Sequence, residues 1–147
     1  MRFTVICLDG VFNGTFYPLE AAVVTANDAL QDIFTRYIRQ PYLPAKQRHF
    51  SVSKLGVVNP RDFGSDSITE LEFIRLIKAS EQEVVYTYGY IARDYLSTIL
   101  PMQRIIDLAG RVEAKHLTGW STCPYPHRAR YCSQEKLKLM MEYLKSN

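Results

Sequence analysis

Two hydrophobic rhythms run along the chain. Phe3 to Leu8 is a short run of β-branched and aromatic residues closed by Asp9-Gly10, which predicts a first strand ending in a turn. Val11-Phe12 and the turn signal Asn13-Gly14 follow, so Thr15 to Tyr17 reads as the return strand of an irregular hairpin. From Leu19 to Ile38 apolar residues recur at Ala22, Val23, Ala26, Ala29, Leu30, Ile33, Phe34, Tyr37 and Ile38. That three-four spacing predicts a helix with one buried face, opened by Pro18 and stopped by Pro41 and Pro44.

Arg48 to Val58 returns to a strand pattern, with Phe50, Val52 and Leu55 apolar and Gly56 as a bulge signal. Asn59 to Gly64 is a loop. Ser67-Ile68-Thr69-Glu70 has the spacing of a capping box, and Leu71, Ile74, Leu76 and Ile77 continue as a helix. Glu83 to Tyr90 favours a strand through Val84, Val85, Tyr86, Thr87 and Tyr88, although Gly89 weakens it. Ile91 to Leu100 predicts a helix, and Pro101 is placed to start another over Met102, Ile105, Ile106, Leu108 and Ala109, capped by Gly110. Leu117 to Tyr131 reads as a loop, and Ser133 caps a last amphipathic helix carrying Leu137, Met140, Met141 and Leu144. Strands come early and helices late. The expected fold is α+β: a small, mostly antiparallel sheet from the N-terminal half packed by helices, with a helix-rich C-terminal half. A chain of 147 residues fits a single domain over 1–147, with a subdivision near 64–67 as the alternative.

Charge changes the picture through its distribution. Eighteen Lys and Arg against fifteen Asp and Glu leave only +3, too little to demand a polyanionic partner. Yet Arg36, Arg39, Lys46, Arg48, Lys54 and Arg61 fall between Ile33 and Arg61 without one acid, and Asp62, Asp66, Glu70, Glu72, Glu81 and Glu83 follow. Tyr37, Tyr42, His49 and Phe50 are interleaved with the basic run. Cations neutralise phosphates and aromatic faces stack on unpaired bases, so this stretch suits single-stranded nucleic acid. The expected binding residues are Arg36, Arg39, Lys46, Arg48, Lys54, Tyr42 and Phe50, on the assumption that they converge in one patch. A solvated helix end beside a charged edge strand is the competing explanation. A second basic segment, Arg128, Arg130, Lys136 and Lys138, lies beside Trp120, Tyr125 and Tyr131.

Other chemistry is thinner. His116, Cys123, His127 and Cys132 are all zinc-competent, but His-x6-Cys-x3-His-x4-Cys lacks the tight Cys-x2-Cys knuckle of most small zinc sites. No metal ligands and no cofactor are assigned, and a small zinc-binding module stays as a second alternative. A nucleophile elbow, a phosphate loop and a dinucleotide fingerprint are all missing, so the expectation is a protein that is not an enzyme. Tyr88-Gly89-Tyr90 has the look of an RNA-recognition strand, but the basic-glycine pair before it is missing. Three cysteines, an odd count, read as reduced thiols of a cytoplasmic protein. No apolar run is long enough to cross a membrane.

One wider pattern spans residues 5 to 64. Asp9, Gly14-Thr15-Phe16 and Pro18 lead to Asn27-Asp28-Ala29 and Phe34, then to Pro44 and to Phe50-Ser51-Val52-Ser53-Lys54-Leu55-Gly56-Val57-Val58. This order resembles the small nonstructural proteins of gokushovirus-type microviruses. The resemblance implies a DNA-binding protein serving a phage with a single-stranded genome. It carries over to Phe16, Asn27, Asp28, Ala29, Phe34, Leu55 and Gly56. The leading expectation is therefore a small accessory protein of phage or mobile-element type that binds nucleic acid, in particular single-stranded DNA. The alternative is a phage-type inhibitor that binds a host defence protein, because segregated charge and many tyrosines suit a protein interface as well. A homodimer is left open.

Overall fold

The computed structural model describes residues 3–12, 14–26, 31–40, 43, 67–79, 84–112 and 133–146. Three long strands come first: β1 (Phe3–Phe12), β2 (Phe16–Ala26) and β3 (Gln31–Arg39). They form an antiparallel meander, with Val5 opposite Val24 and Val23 opposite Phe34. The two-residue β4 (Ile68–Thr69) adds to β3 in parallel and leads into α1 (Glu70–Lys78). Then β5 (Val84–Thr87) lies parallel to β1, α2 (Tyr90–Ile99) crosses over, and β6 (Arg104–Asp107) lies parallel to β5. The last helix is α3 (Ser133–Ser146). The sheet order is β4-β3-β2-β1-β5-β6.

The helix expected from Leu19 to Ile38 is therefore a correction: the segment supplies two strands of the meander. Leu19 to Val24 are all buried. A strand covered on both faces reads as a near-continuous apolar run, which periodicity cannot tell from a helix. Alternation then divides the run. Ala21 and Val23 join Ile6 and Leu8 against Phe73 and Ile77 of α1 and Ala92 and Leu96 of α2. Ala22 and Val24 join Val5 and Cys7 against Leu137, Met140 and Met141 of α3. Helices thus cover both faces of the central strands.

The α+β class stands in its coarse form, as one sheet with helices among the described residues. The sheet, however, is mixed rather than mostly antiparallel, because β4, β5 and β6 all join in parallel. In the described part of the second half β5 and β6 alternate with the helices. The helix expected after Pro101 is also corrected. Ile105 and Ile106 pair with Val85 and Tyr86 as β6, an arrangement that β-branched side chains favour. The strand expected at 48–58 and the loop at 117–131 lie outside the described residues.

The α1 cap is displaced from its expected place. Thr69, not Ser67, is the N-cap: its Oγ1 accepts from Glu72 N at 3.1 Å, and Thr69 N donates to Glu72 Oε1 at 3.2 Å. Ser67 instead accepts from Arg39, and Glu70 accepts from Gln40 and from the Tyr95 hydroxyl. The two candidate boxes overlap in sequence, and the β3–β4 pairing selects the later one. Thr69→Ala is expected to cost about 1 kcal/mol of stability, whereas Ser67→Ala leaves the cap intact; urea midpoints of the two variants check this.

Candidate functional site

β1 and β5 run side by side in the same direction, and β5 ends beside Ile6 while β1 runs on past it to Phe12. Beyond them the chain diverges, from β1 back to β2 on one side and from β5 through α2 to β6 on the other. Open α/β sheets bind ligands in the crevice at such a switch point. A cleft of about 480 Å3 lies there. Its walls come from the end of β1 (Leu8 to Phe12), from Phe16, from the β5–α2 turn (Tyr88 to Ala92) and from Lys136 of α3.

Local sequence explains the shape. The β1–β2 register shifts between Asp9 and Gly10, a bulge of the kind that re-aims a side chain. Gly10 is required by space: a Cβ there would meet Tyr17 O and stand 2.9 Å from the Phe16 ring. Gly89 is the N-cap of α2 at φ 100°, a left-handed conformation that glycine adopts without strain. Its N–H is held by Asp107 Oδ1 at 2.7 Å, which also accepts from Ala109 N at 2.9 Å. Asp107 therefore fixes the start of α2 against the end of β6.

Of the cleft's charged pair, Asp9 is buried and the Lys136 side chain is only 12% exposed. Asp9 shares the β1 face of Val5 and Cys7, which is the face α3 covers. Lys136 Nζ donates to Asp9 Oδ1 at 2.8 Å and to Leu8 O at 3.3 Å, and lies 5.9 Å from the centre of the Tyr88 ring. Asp9 Oδ2 is buried and has no hydrogen-bond partner among the described residues. Opposite Asp9 on β2, the buried Glu20 accepts from Ser133 N and Oγ at the start of α3. Burial pushes the Lys136 ammonium down. The Asp9 charge and hydrogen bond, with smaller help from Cys7 and Glu20, outweigh that and leave its pKa above the ordinary lysine value.

The start of α2 adds a third element. Its first turn has no capping side chain and no acid, and Tyr90, Ile91 and Ala92 all line the cleft. The leading N–H groups of a helix have no intrahelical partner and carry partial positive charge. Phe12 and Tyr90, two of the exposed large apolar side chains, stand at the same cleft. The arrangement offers donors to an anion and ring faces to a planar group.

The expected basic patch fares differently. Arg36 and Arg39 would share a helix face, but three positions apart on a strand they fall on opposite faces. Arg39 donates to Ser67 O at 2.7 Å and lies 3.7 Å from Glu72, while Arg36 donates to Thr35 O. Neither lines the cleft. Lys46, Arg48, Lys54, Tyr42 and Phe50 lie outside the described residues, as do His116, Cys123, His127 and Cys132. Lys136, counted above with a basic surface segment, is instead the buried partner of Asp9. Its position one turn before Met140, on the apolar stripe of its helix, was the available signal: a lysine there needs a buried partner. Asp9 carries only a turn signal in the sequence. No family model matches the chain, and no curated protein matches it. No helix among the described residues is long and apolar enough to cross a membrane.

Proposed function

We propose that this chain binds single-stranded nucleic acid, in an accessory role of the phage or mobile-element type, and that the strand runs through the cleft between β1 and α2. The supporting observation is the convergence there of an uncapped helix start, two exposed aromatic rings and the Asp9–Lys136 ion pair. Helix N-termini favour phosphate through unpaired N–H groups and the helix dipole. Phe12 and Tyr90 give stacking faces that tolerate any base. The cleft is put forward beside the Arg36–Lys54 stretch, of whose expected binding residues only Arg36 and Arg39 lie among the described residues, on opposite faces of β3.

Fluorescence anisotropy with labelled oligodeoxythymidine tests this reading. Binding is expected at low salt and weakens as salt rises. Phe12 and Tyr90 are 53% and 61% exposed, so alanine at either leaves the fold undisturbed. Each substitution is expected to weaken binding by about fivefold or more, since stacking on one ring is worth roughly 1–3 kcal/mol. Absence of binding at low salt, or full affinity in the double variant, defeats the proposal.

A further inference from the structure

We infer that the cleft admits one unpaired base edge-on, with its Watson–Crick edge against the Asp9–Lys136 couple. This rests on the single-strand reading above and names what the buried polar pair recognises.

The couple is incomplete on both sides. Asp9 Oδ2 is a buried acceptor without a donor among the described residues. Lys136 has three N–H donors. Two go to Asp9 Oδ1 and Leu8 O, and the third has no acceptor among the described residues. A spare acceptor beside a spare donor is the complement of a base edge, where an N–H stands next to a ring nitrogen or carbonyl oxygen. Thymine, for example, would give its N3–H to Asp9 and take a hydrogen bond from Lys136 on a carbonyl oxygen. A buried carboxylate oxygen left unpaired is costly, so a ligand that supplies the donor gains from doing so.

The rest of the cleft agrees in size and chemistry. Its 480 Å3 falls in the range of small-ligand sites, about 300–1,000 Å3. Phe16, Tyr88 and Tyr90 supply ring walls around the polar couple. Enzymes and binders that take a base out of a stack read it in this manner, by its Watson–Crick edge between aromatic side chains. A base paired in a duplex has that edge occupied, so the couple selects against duplex.

The test leaves the protein unaltered, so folding does not enter. Anisotropy compares oligodeoxythymidine with an oligomer of equal length made of N3-methylthymidine. The methyl group blocks the edge and keeps the ring, the sugar and every phosphate. Affinity is expected to fall about tenfold or more, the size of one lost bidentate base contact. Equal affinity for the two oligomers overturns the edge-on inference and leaves the single-strand reading in place. Failure of plain oligodeoxythymidine to bind at low salt overturns both.

Discussion

Lys136→Met is expected to lower the folding free energy by about 3–5 kcal/mol, the range for breaking a buried ion pair on one side only. The methionine fits the hydrocarbon part of the lysine and keeps the packing of α3 beside Leu137 and Met140. It removes the ammonium that lies 2.8 Å from Asp9 Oδ1. Asp9 is then a carboxylate with only 4% exposure and no cation. Glu20, its opposite number on β2, adds a second negative charge at the same place. Urea unfolding at neutral pH measures the loss. The double variant Asp9→Asn/Lys136→Met is expected to lose much less, because no charge is stranded; the non-additivity gives the coupling between the two residues. Equal losses in the single and double variants would show that the charge pair is not what holds α3.

The pH dependence has a definite sign. Lys136 has a folded pKa above the ordinary value of 10.5, so the folded state holds its proton more tightly than the unfolded chain does. Its contribution to stability is complete below 10.5 and disappears as pH rises through the folded value. The parent chain should therefore lose stability in strongly alkaline solution more steeply than the double variant, which lacks the titrating group.

Gly10→Ala is expected to destabilise by about 1–3 kcal/mol and to weaken oligonucleotide binding as well. The obstruction is steric. The added methyl would meet Tyr17 O, a backbone atom of the next strand, and the edge of the Phe16 ring. The ring can turn aside, but the carbonyl moves only if the β1–β2 ladder moves with it. That ladder carries the register shift that sets Asp9, and Phe12 follows three residues later. Gly110→Ala is the matched control: a methyl there meets nothing within 4 Å, and its stability should stay within about 0.5 kcal/mol of the parent. Thermal melts and anisotropy titrations of the two variants give both comparisons.

Elements with a strong local residue pattern are legible in the sequence alone. The periodicity at 133 onward and at 91–100 led to α3 and α2 within a residue or two, and the β-branched run at 84–88 led to β5. Residues 19–24 mimic a helix in sequence because β2 lies between two layers of helices. Burial on both faces removes the polar half of the alternation that marks a strand. Ile105 and Ile106 are ambiguous in sequence because two apolar neighbours after a proline fit a helix start as well as a short strand. At the site, Gly89 and Gly10 were visible as punctuation, and only the assembled chain gives them separate reasons, one of φ and one of space. Asp9 and Lys136 are 127 positions apart, and no local pattern joins them.

The placing of β1 between β2 and β5 has a temporal side. Its partner on one flank follows within a few residues, whereas the Thr87 hydroxyl that closes on Ile6 O lies 81 positions downstream. On the ribosome, the meander can zip up while the other flank of its first strand still presents bare amide and carbonyl groups. Until β5 is synthesised, that flank is open to strand addition from a neighbouring nascent copy, so slower translation between the two segments lengthens the time at risk of aggregation.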